Sequence, residues 1–106
     1  MGDVRYTWNV AYHRVFGLVS IGRYRSPSKA KRSAQIALTW AKVNGLWPAQ
    51  YRQKTVSGYS TDDVIGKLPA ALCPPDSIIQ AMDCDTRQEL DPLTDESTGR
   101  VIADGP

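Results

Sequence analysis

Residues 4–13 read VRYTWNVAYH, and the alternation in this stretch decides the fold class. Val4, Tyr6, Trp8, Val10 and Tyr12 fall on one side of an extended chain, while Arg5, Thr7, Asn9, Ala11 and His13 fall on the other. A period of two in β-branched and aromatic residues predicts a half-buried strand. After Gly17, the segment LVSIGRY (residues 18–24) resumes a strand composition. The pair predicts an antiparallel hairpin turning near Phe16-Gly17, without the Asn-Gly signature of the tightest turns.

The next segment carries the signals of a helix over about 27–44. Ser26 or Ser28 can cap it, Pro27 suits its first turn, and Gly45 with Pro48 supplies the stop. Ala30, Ala34, Ala37 and Ala41 recur on one face, flanked by Leu38 on one edge and by Ile36, Trp40 and Val43 on the other. Lys31, Arg32, Gln35, Thr39 and Lys42 gather opposite. An alanine spine lets a helix lie close to a flat surface, and the hairpin is the flat surface at hand.

Downstream the signals are weaker. Leu46-Trp47-Pro48 reads as a buried turn, 51–56 as a short strand ended by Ser57-Gly58, and 61–68 as a short helix with Asp62 and Asp63 in its first turn. Cys73-Pro74-Pro75 is a rigid break, 77–83 a strand, and the acidic remainder a loop with one more strand at 100–103. The expectation is a single α+β domain over 1–106: a basic hairpin and helix in 1–45, and an acidic half in 55–106 with a flexible tail at 91–106.

Charge sharpens this division. The formal net charge is only +2, yet residues 1–54 hold ten Lys or Arg against the single acid Asp3, and residues 55–106 hold three against ten acids. Such asymmetry points to a polyanion-binding face with an acidic counterpart, or to two halves that neutralise each other. The run RYRSPSKAKR (23–32) concentrates Arg23, Arg25, Lys29, Lys31 and Arg32 around the predicted helix start. Cations there oppose the helix dipole unless an anion is bound. Tyr24, set between two arginines, suits contact with a nucleotide, and arginine forks match phosphate and guanine edges.

Catalytic signatures are missing. His13 is the one histidine, and no GxxxxGK[ST], GxSxG, GxGxxG or HExxH pattern occurs, so no cofactor is expected. Asp83, Asp85 and Glu89 lie close in sequence and would be the ligands of a metal-dependent nuclease, but without EF-hand spacing they read as a solvated acidic loop. No apolar run approaches a membrane span, no leader pattern is visible at the N-terminus, and Cys73 and Cys84 are too few for a disulfide framework. A cytoplasmic, reduced protein with no membrane partner is expected, with one Cys73–Cys84 bridge left open.

Over residues 6–45 the chain resembles AP2-type DNA-binding domains and the arm-type DNA-binding domains of phage integrases. The resemblance rests on Trp8-Asn9-Val10-Ala11, then Ser20-Ile21-Gly22-Arg23-Tyr24-Arg25-Ser26, then Ala30, Ala34 and Ala37. It implies a sheet that enters the major groove with a helix bracing it from behind. It would assign Arg5, Asn9 and His13 on the outward sheet face to the nucleic acid, assisted by Arg23 and Arg25. The chain departs from that pattern in its cationic helix start and in having only five residues before Tyr6.

These observations predict a non-enzymatic nucleic-acid-binding protein, with DNA the expected target. Its contacts would be Arg5, Asn9, His13, Arg23, Tyr24, Arg25, Lys29, Lys31, Arg32 and Lys42. The alternative is a small interaction or inhibitor protein, of the kind phages and mobile elements encode, that engages a host protein or nucleoprotein. It would do so through Asp83, Asp85, Glu89, Asp91, Asp95 and Glu96, imitating phosphate. The opposed charges of the two halves also invite a homodimer.

Overall fold

Strand β1 (Tyr6–His13) occupies an interior position in the sheet of the computed structural model, which describes residues 4–90. It pairs antiparallel with β2 (Leu18–Tyr24) on one side, with Val10 opposite Ile21, and with β3 (Tyr51–Gly58) on the other, with Val10 opposite Lys54. The predicted hairpin is therefore present, closing through residues 14–17 with Gly17 at φ 60°, a conformation glycine adopts without strain.

The alanine-spined helix is α1 (Pro27–Val43), capped by Ser26. Helix α2 (Thr61–Lys67) follows β3, and β4 (Ile78–Asp83) then enters beside β2 in parallel, pairing Leu18 with Ile78 and Arg23 with Asp83. The three-residue strand β5 (Gln88–Leu90) returns antiparallel along β4 and completes the order β3-β1-β2-β4-β5. The fold is α+β, as the sequence predicts. The expected strand at 100–103 and the tail at 91–106 lie outside the described residues.

One face of the sheet holds the core. Trp8, Val10, Val19, Ile21 and Ala81 are buried there against Val64 of α2, with Tyr6, Tyr12, Val56, Leu68 and Ile79 packed around them. The Trp8 indole N–H donates to the Gly58 carbonyl at 3.0 Å, so this large buried ring leaves no donor unpaired. The tight approach needs Gly58, where a Cβ would fall 2.9 Å from Val64 Cγ2. Cys73 belongs to this core, whereas Cys84 lines the cleft on the opposite face of the sheet; both are free thiols.

Helix α1 lies over the opposite face, and here the structure departs from expectation. Asn9, Ala11 and His13 were expected to point outward, yet they lie under α1. The side chain of Asn9 donates to the carbonyl of Ala30 at 2.9 Å and accepts from Thr55 Oγ1 at 3.0 Å; Gln53 donates to the carbonyl of Ala34 at 2.6 Å. Ala30 and Ala41 are buried in this contact. Polar side chains on the strands thus satisfy helix carbonyls instead of facing water. Both faces of the sheet are used, which alternation in one strand does not reveal.

Candidate nucleic-acid interface

The basic residues predicted as contacts divide into two groups. Arg23 is committed internally. On the core face, its Nε donates to Asp83 Oδ2 at 3.1 Å and its second nitrogen closes the fork, while its guanidinium lies 4.4 Å from the centre of the Tyr6 ring. Asp83 is buried and also accepts the backbone N–H groups of Asp85 (2.9 Å) and Thr86 (3.1 Å). The Arg23 hydrogen bonds, backed by these two amides, hold its carboxyl below the usual carboxylate range despite the opposing effect of burial. Neither residue presents its charged group to a partner.

Tyr24 is also turned inward. Its hydroxyl donates to Ser33 Oγ of α1 at 2.7 Å, and partial burial raises its phenol pKa. With Asn9 and His13 it lines a cleft of about 210 Å³ between α1 and the sheet. Three of the ten predicted contacts therefore build the seat of the helix.

The second group is exposed: Arg5, Arg25, Lys29, Lys31, Arg32 and Lys42. Arg5 lies 5.7 Å from the centre of the Tyr59 ring, and the backbone N–H of Arg25 donates to Asp85 Oδ2 at 2.9 Å. The cap of α1 is Ser26, whose Oγ accepts the Lys29 N–H at 3.4 Å and lies 2.9 Å from Ser28 Oγ. No acid occupies the first turn of α1, whereas Asp62 and Asp63 do so in α2. Among the described residues, ion pairs are made only by Arg23 with Asp83 and by Lys67 with Asp63. The four cations of α1 have no acidic partner there.

Arg52 and Lys54 are also exposed, on the edge strand β3, but as register partners of Tyr12 and Val10 they lie on the sheet face opposite α1. The sequence reading did not single them out, although they stand in alternation on the short strand 51–58 and the order of strands alone makes them an edge. Arg14 and Arg52 line a second cleft of about 220 Å³. A third, of about 310 Å³, is formed by His13, Val15, Phe16, Trp40, Leu46 and Gln50, where α1 ends beside the β1–β2 turn.

Of the acidic residues proposed for the alternative partner, Asp83 is spent on Arg23, Asp85 on the Arg25 amide, and Glu89 is exposed on β5. Asp91, Asp95 and Glu96 lie outside the described residues. Among the described residues, Asp83, Asp85 and Glu89 form no group of ligands suited to a metal ion, and no helix is long and apolar enough to cross a membrane. No family model, curated protein or solved structure matches the chain.

Proposed function

We propose that this protein binds nucleic acid through the solvent face of α1, without catalysing a reaction on it. The observation that carries the reading is the set of exposed cations on α1 with no ionic partner among the described residues. A cation in the first turn of a helix is unfavourable by roughly 0.3–1 kcal/mol at an exposed site, and Lys29 occupies that turn of α1. A phosphate placed between Lys29 and Arg32, neighbours at i and i+3 on the helix surface, reverses the sign of that contribution.

This surface is not the one the AP2-type resemblance implies. In that plan the free sheet face is read against the major groove, and here α1 covers it. The reading therefore rests on phosphate contacts, which position a protein on nucleic acid without selecting sequence.

The test is binding of labelled duplex and single-stranded oligonucleotides across a salt series. Affinity should fall steeply with salt, because each neutralised phosphate releases counterions. Absence of binding at low salt would sink the proposal.

A further inference from the structure

Phe16, at the tip of the β1–β2 turn, is 74% exposed, and Trp40 in the last turns of α1 is 52% exposed. Both line the 310 Å³ groove, which is walled otherwise by Val15, Leu46, His13 and Gln50. The rings are held from beneath. His13 lies 6.5 Å from Phe16 and 4.8 Å from the buried Tyr51, and Trp40 meets Tyr51 edge-on at 6.4 Å. They form a supported aromatic platform at the surface.

Trp40 also ends a row of side chains along the helix. Lys29, Arg32, Ile36 and Trp40 recur at spacings of three or four residues and so form one flank of α1. This ridge is cationic at its start and aromatic at its end. No acidic residue lines any of the three clefts, while Arg14, Arg52 and Lys54 do line two of them. An apolar partner surface alone would leave the cations idle, and a duplex would leave the rings idle, since its bases are stacked inside. A strand with unpaired bases uses both.

We infer that the ligand is a single-stranded nucleic acid whose phosphates follow the Lys29–Arg32 flank and whose bases stack on Trp40 and Phe16. The inference rests on the nucleic-acid reading above and narrows it. Stacking on aromatic side chains tolerates any base, so affinity without strong sequence preference follows.

The test uses an oligodeoxythymidine of about 15 nucleotides, within the footprint of small single-strand binders, and a mixed-sequence duplex of equal length. The single strand should bind about tenfold more tightly and quench tryptophan emission. Trp40→Ala combined with Phe16→Ala should cost it about thirtyfold or more, while Trp40→Phe, which keeps a ring, retains most of the affinity. Equal binding of both probes, unchanged by the aromatic substitutions but weakened by neutralising Lys29, Lys31 and Arg32, would overturn the stacking inference and leave the nucleic-acid reading standing. Binding to neither probe at low salt would sink both. Self-association in sedimentation that disappears in the Trp40→Ala, Phe16→Ala variant would reassign the platform to a contact between copies and overturn the inference.

Discussion

Arg23 and Asp83, 60 residues apart in sequence, are register partners across the parallel β2–β4 pairing and form the ion pair that joins the basic hairpin to the acidic half of the chain. The side chains are 24% and 7% exposed. Asp83→Asn would leave Arg23 confined beside Tyr6 and Trp8 without its counter-charge. Breaking a fully buried pair typically costs 3–5 kcal/mol, so roughly 2–3 kcal/mol is expected with Arg23 partly hydrated. Chemical denaturation of Asp83→Asn, Arg23→Met and the double variant measures this. The double variant should be less destabilised than the sum of the single ones.

The same carboxylate sets a pH dependence. Asp83 has a depressed pKa through Arg23 and two backbone amides, and Asp63 through the Tyr59 N–H and Lys67. Each is deprotonated in the folded state at a pH where the unfolded chain already binds a proton. Their stabilisation is therefore full above the ordinary carboxylate pKa and is lost as pH falls through the lower folded values. The melting temperature should stay level from neutral pH to about 5 and drop below about 4. In Asp83→Asn that acid-side drop should be shallower. An undiminished drop would assign the transition to other carboxylates.

Much of this architecture is legible from short-range pattern. The alternation in 4–13, the alanines of α1 and the Thr61–Asp63 helix start each follow from neighbours in sequence, and their elements appear within a residue or two of the expected bounds. What pattern does not convey is which elements meet. The parallel β2–β4 pairing brings Arg23 to Asp83 only after α2 and a turn-rich connection, and the three residues of β5 are too few to carry a period. The site suffers from the same gap. Asn9 and Tyr24 look solvent-facing because they are polar, yet α1 supplies a carbonyl and a hydroxyl that satisfy them.

Asn9 provides a direct test of that correction. Asn9→Ala removes a donor to the Ala30 carbonyl and an acceptor for Thr55. Loss of two such bonds in a half-buried seat should cost about 1–3 kcal/mol. Oligonucleotide affinity of the folded variant should be unchanged. Loss of affinity with intact stability would return Asn9 to the contact surface.

Gly22 tests how closely the acidic half is packed. A Cβ there would stand 2.7 Å from Cys84 Sγ. Gly22→Ala should destabilise by about 1–3 kcal/mol, in the manner of overpacked sites. Adding Cys84→Ala removes the obstructing sulfur and should recover most of the loss. No recovery in thermal melts would place the cost in the strand backbone.

The cations at the start of α1 separate ligand binding from folding. Replacing Lys29, Lys31 and Arg32 with Gln removes like charge from the positive end of the helix, and none of the three has an ion-pair partner among the described residues. Stability should stay level or rise by a few tenths of a kcal/mol in total, most of it from Lys29 in the first turn. Binding should weaken, and the slope of log affinity against log salt should shrink by about one for each lost phosphate contact. Ser26→Ala should behave in the opposite way. Its Oγ accepts the Lys29 N–H, so its loss should cost about 1 kcal/mol of stability with the cations intact. Stability that falls in the triple Gln variant would tie the cations to acids elsewhere in the chain. Their place at the helix start would then be explained by the fold alone, and the phosphate reading would lose its main support.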